Sequence, residues 1–175
     1  MIPGARFSTE ARARLLATGW LALEVPEGLT LAGLRAAGAP FKGSKYFDQQ
    51  ASGVRELSVS AGEVAYPRDL LPGTMGRTYA GCVALLDGLQ PQLPGGARAS
   101  IQPAALYVWL LWEHQQRHGE WLLQGRYTWA ADATADGSEH LATGVFGQQR
   151  PLLVSPIPEP FGRGLGALPI VVPVD

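Results

Sequence analysis

Read for the spacing of its apolar positions, the chain alternates between helical and extended periods. Ser8 or Thr9 with Glu10, followed by ARARLLATGW, predicts a capped helix of about three turns that closes at Gly19. LALEV, 21 to 25, predicts a short strand before the Pro26-Glu27-Gly28 turn, after which Thr30 caps LAGLRAA up to Gly38 and Pro40. The polar stretch 41 to 53 has no period and reads as a loop. VRELSVSAGEVAY, 54 to 66, carries β-prone residues interrupted at Ala61-Gly62, and so predicts two strand pieces or one bulged strand. A helix follows from about Thr78 to Leu89, then a short strand at ARASI, 97 to 101, and a second helix with Pro103 as its first residue.

The last third changes period. WLLQGRYTWA sets Trp121, Leu123, Tyr127 and Trp129 on one face and Gln124, Arg126 and Thr128 on a polar one. HLATGVFG, PLLVSPI and ALPIVVPV continue as strands, with Pro169 and Pro173 restricting the last to a sheet edge or a strand end. Strand–helix alternation through the middle predicts parallel strands joined by right-handed crossovers, and the tail extends the sheet antiparallel. The fold class is therefore α/β or α+β, with one mixed sheet and helices packed on it. A single domain spans 1–175, in which 1–53 supplies N-terminal helices and a loop, and 54–175 the main sheet with two crossover helices.

Composition narrows the setting more than the activity. Of 175 residues, 46% are hydrophobic, enough to bury one good core, and a formal net charge of -1 gives no global field to attract nucleic acid or an anionic membrane. Asn is absent and Lys occurs twice against twelve Arg and ten Gln, a bias that fits GC-rich coding and a bacterial source better than heat adaptation. Basic residues are scattered, apart from Arg6, Arg12 and Arg14 near the start and Lys42 with Lys45. Cys82 is the only cysteine, so no intramolecular disulfide is possible and a cytoplasmic setting is expected. The first residues lack the apolar core of a signal peptide. The longest near-apolar run, 103 to 112, is about half of the roughly 20 residues that span a bilayer.

Two spacings suggest chemistry. His114 and His118 lie four apart and would share a helix face, with His140 or Glu120 as a third metal ligand. Neither zinc-helix motif is present, because Glu113 precedes the first histidine and Arg117 the second. A final helical turn, with cationic groups at the negative dipole end and Gly119 as a left-handed cap, accounts for HQQRHG without a metal. LLPGTMGRTY, 70 to 79, enters a helix, and N–H groups from Gly73, Thr74 and Gly76, with Arg77 and Thr78 in the first turn, are placed to hold a phosphate or carboxylate.

Other motifs are incomplete. GAPFKGSK has the glycines of a phosphate-binding loop but puts Ser44 before Lys45, and the glycines at 162, 164 and 166 enter a strand rather than a helix, leaving Arg163 as an exposed contact. Cys82 lies in an apolar helix and reads as a buried structural thiol. Candidate acid–base carboxylates are Asp48, Glu56, Glu63 and Asp69; Glu63, in a strand, calls for an edge position or a salt bridge to an arginine, or, if it points inward, a place at a cleft. Six aromatic residues between Tyr107 and Trp129 fill a core or line an interface.

The expected function is a non-catalytic module that binds a partner protein or a small anionic ligand through Gly73, Thr74, Gly76, Arg77, Thr78 and Arg126. No cofactor, nucleic acid or membrane is expected. A hydrolase or transferase with Glu63 or Asp48 as general base, metal-assisted through His114 and His118, is the alternative, and a phage or mobile-element accessory protein that docks on host machinery is a third.

Overall fold

A computed structural model describes residues 4–43, 47, 52–145, 152–157 and 164–174. In chain order the elements are α1 (Thr9–Ala17), β1 (Leu21–Val25), α2 (Leu31–Ala36), β2 (Phe41–Gly43), β3 (Gly62–Tyr66), α3 (Tyr79–Leu89), β4 (Ala97–Ser100), α4 (Ala104–His118), β5 (Tyr127–Ala133), β6 (His140–Val145), β7 (Leu152–Ile157), β8 (Leu165–Gly166) and β9 (Ile170–Pro173). The helix starts follow from caps written in the sequence: Ser8, Thr30 and Thr78 each accept a backbone N–H from three residues on. Pro103, which has no capping side chain, is relieved by Asp132 of β5, whose carboxylate accepts the Ala104 N–H at 2.5 Å.

The strands form two sheets where one was expected. The first has the order β1-β3-β9-β4, every pair antiparallel, and the second the order β2-β7-β6-β5-β8, with parallel pairs only at its two ends. β3 and β4 run in the same direction, as crossovers require, yet β9 lies between them and pairs with both. The last strand is therefore interior, and its prolines are tolerated because Pro173 stands at the strand end and Pro169 outside it. The N-terminal third is no appendage, since it gives β1 to one sheet and β2 to the other. Phe41–Gly43, expected as loop, pairs in parallel with Leu152–Val154. Ser52–Glu56 is a 3-10 turn rather than a strand.

Residues 165 to 173 pass from one sheet to the other, so the short link 167–169 carries backbone groups into a dry interior. Each needs a partner there. Leu71 N–H donates to Ala167 C=O at 2.8 Å, the Thr74 hydroxyl accepts Ala167 N–H at 3.1 Å, and the Thr128 hydroxyl accepts Leu168 N–H at 2.8 Å. The Tyr107 hydroxyl donates to Leu168 C=O at 2.8 Å. Thr74, Tyr107 and Thr128 are all fully buried, which makes them the internal solvation of this link. Burial also pushes the Tyr107 hydroxyl far above its ordinary range and keeps it a donor.

The remaining core is apolar. α4 buries Ala104 to Leu111 without interruption, and Trp129 of β5 is fully enclosed. The aromatic cluster is thus mainly core, with Trp112, Trp121 and Tyr127 packed at its margin. No helix among the described residues is long and apolar enough to cross a membrane.

Candidate functional site

A groove of about 680 Å³ lies where α1, β1, β3 and the end of α4 meet, lined by Arg6, Arg12, Leu16, Glu24, Glu63 and Arg117 among others. Strand alternation explains its polar floor: Glu24 and Glu63 are cross-strand partners and share a face, while Leu23 and Val64 face the core. Glu63, with its side chain only 13% exposed, is held from two sides: Phe7 N–H donates to one oxygen at 3.1 Å and Arg12 Nε to the other at 2.7 Å. A carboxylate with both oxygens so engaged anchors an arginine, and is poorly placed to take a proton from a substrate as a general base.

Two of the arginines that line the groove share one construction. Arg12 is fixed through Nε to Glu63, and Arg117 through Nε to Glu113 at 2.6 Å one helical turn earlier. Among the described residues their terminal nitrogens have no acceptor. Each guanidinium is therefore oriented at its base and open at its fork, which is the part that receives a carboxylate or phosphate bidentately. Arg6, also in the lining, pairs with Glu24 through a terminal nitrogen.

The turn expected to bind an anion turns three of its backbone donors onto the chain itself. Thr74 N–H donates to Leu71 C=O, Gly76 N–H to Leu165 C=O and Arg77 N–H to Thr74 C=O. Gly73 and Gly76 take left-handed backbone angles, φ 82 and 74, which is the tight-turn role of glycine. Thr78 caps α3, and Arg77 Nε reaches back to Gly73 C=O at 3.3 Å. Arg126 is paired with both oxygens of Asp69 at 2.5 and 2.7 Å, and Asp69 also accepts Leu70 N–H. Thr128 is buried, so Gln124, Arg126 and Thr128 do not make one polar sheet face; the left-handed Leu123 and a later strand start break the alternation. Glu63 lines the groove, whereas Arg77 and Arg126 do not.

The histidines divide between two places. His114 is fully buried, its Nδ1 3.2 Å from the Tyr66 hydroxyl, its ring 4.4 Å from that of His118, and its Nε2 3.9 Å from Glu120. Burial, reinforced by the nearby His118 and Arg68, lowers its pKa from 6.5 to about 4, so His114 is neutral and does not serve the helix end as a cation. Arg117 and His118 occupy the last turn, and Gly119, at φ 73, supplies the left-handed cap. His140 instead stacks on Tyr79 at 3.6 Å, beside Asp132, whose pKa burial raises. Among the described residues no three His, Cys, Asp or Glu side chains are arranged to hold a metal ion. The Cys82 thiol is buried and donates to Thr74 C=O at 3.6 Å.

Asp48, Ser44, Lys45 and Arg163 lie outside the described residues. Glu56 lines a second, smaller groove of about 360 Å³ with Arg35 and Phe41. The fold and this geometry define an α+β protein with an arginine-rimmed groove. No family model, curated protein or solved structure matches the chain.

Proposed function

We propose that the chain is a binding module that takes a carboxylate or phosphate, free or displayed by a partner protein, in the groove between α1 and β1. The observation that supports this reading is the pair of guanidinium forks, Arg12 and Arg117, each anchored through Nε and open at its terminal nitrogens. Such anchoring removes part of the side-chain entropy that a flexible arginine loses when it binds. The groove volume, about 680 Å³, is ample for a small ligand or a few residues of a chain. Arg6, Arg12 and Arg117 are balanced by Glu24, Glu63 and Glu113, so the support comes from the two open forks and not from a net local charge. A lone cysteine supports placing the protein in a reducing compartment such as a bacterial cytoplasm.

Titration calorimetry with a panel of di- and tricarboxylates and phosphorylated metabolites tests the reading. At least one should bind wild type, and Arg12→Gln should weaken it by about tenfold or more, the loss of one charge-assisted bidentate contact. Arg77→Ala, at the turn, should leave it unchanged. Silence across the panel, or equal affinity for Arg12→Gln, would sink the proposal.

A further inference from the structure

β1 ends the first sheet, and among the described residues no strand pairs with its outer side. Which of its main-chain groups face outward follows from β3. Glu63 N–H donates at 2.9 Å to Ala5 C=O, on the side of β3 away from β1. Alternation then points Gly62, Val64 and Tyr66 toward β1, where they face Val25, Leu23 and Leu21. The N–H and C=O groups of Ala22 and Glu24 are left pointing out of the sheet, and both residues line the groove. Ala22 is half-buried and Glu24 exposed, so these groups lie within reach of a docking chain.

We infer that the groove takes an extended segment of a partner protein, added as a further strand to the edge of β1, with acidic side chains at alternate positions and apolar ones between. This rests on the anion-binding reading and names its ligand. A strand added here makes main-chain hydrogen bonds to Ala22 and Glu24, and its alternate side chains fall on the two faces of the sheet. Those on the face of Ala22, Glu24 and Glu63 meet Arg12 and Arg6, and acids are their complement. Those on the other face extend the row of Leu21, Leu23 and Val25, of which Leu21 is half-buried and still has apolar surface to cover.

The probe is a short capped peptide alternating valine and glutamate, followed by fluorescence anisotropy against wild type, with a valine–lysine peptide as control. The acidic peptide should bind and the basic one should not. Ala22→Pro removes an outward N–H without touching the pairing to β3, and should weaken the peptide about tenfold. Should that variant fold poorly, N-methylation of the peptide keeps the test on unaltered protein: methyl groups on one set of alternate residues should abolish binding, and on the other set should be tolerated. Equal binding of both methylated peptides, or wild-type affinity for Ala22→Pro, overturns strand addition. A dicarboxylate that binds where the peptide does not defeats this inference and spares the anion site; failure of both defeats the two together.

Discussion

Trp129→Ala is expected to cost the fold about 3–5 kcal/mol, a large share of the 5–15 kcal/mol that holds a typical domain. Trp129 is fully buried in β5, its Nε1–H donates to Arg77 C=O at 3.1 Å, and Tyr79 meets its ring edge-on at 6.3 Å. The indole thus ties the start of α3 to the second sheet, next to the link that joins the two sheets. Truncation leaves a cavity and an unpaired carbonyl, two costs that add. In urea, followed by far-ultraviolet circular dichroism, the midpoint should fall by about 2 M at unchanged slope. Trp129→Phe keeps the six-membered ring and loses the pyrrole with its donor, so its midpoint should fall less. A midpoint for Trp129→Ala within error of wild type would show that β5 is not packed as described.

Acid should destabilise the protein through His114. Its folded pKa, about 4, lies below the ordinary 6.5, so the unfolded chain binds a proton first and stability falls as pH drops from 6.5 toward 4. Above 6.5 both states are neutral at this site and it contributes nothing to the slope. The loss across that window is about 2–3 kcal/mol, less than the full shift implies because protonation is accompanied by local relaxation. The groups facing the ring are Tyr66 from β3, Arg68 beyond it, His118 from its own helix and Glu120 after the cap. Tyr66, pushed up to about 12 by burial, keeps its proton throughout. His114→Gln retains a polar partner for Tyr66 and cannot be protonated, so its stability should vary less between these pH values than that of wild type. Parallel profiles for the two proteins would contradict a neutral buried His114.

What was legible in the sequence is what depends on neighbours along the chain. Ser8, Thr30 and Thr78 announced their helices because a cap acts over three residues, and Gly119 announced the end of α4 for the same reason. The insertion of β9 between β3 and β4 was not legible, since crossover rules fix direction and hand but leave open which later strand fills the gap. His114 and Thr74 show the limit for single residues. Both occupy positions that suit a functional role locally, and both are claimed by distant backbone or side chains: Tyr66 in one case, Ala167 in the other.

The groove was illegible for a related reason. Arg12 and Glu63 are 51 residues apart: a strand glutamate called for an arginine, but nothing near it said which one. Arg117 with Glu113 was the readable half, an i,i+4 pair on one helix face. The cluster Arg6, Arg12 and Arg14 stood out in the sequence, but only the fold turns Arg6 and Arg12 into the groove and leaves Arg14 on another side of α1.

Chemical-shift mapping in ¹⁵N-labelled protein, titrated with the valine–glutamate peptide, locates the bound segment residue by residue. The shifts should gather at the backbone N–H of Ala22 and Glu24 and at the Nε–H of Arg6, Arg12 and Arg117, with Gly73 to Thr78 and Arg126 unmoved. Shifts centred on the 73–78 turn and Arg126, with the groove silent, would rule out binding at β1 and return the site to the turn.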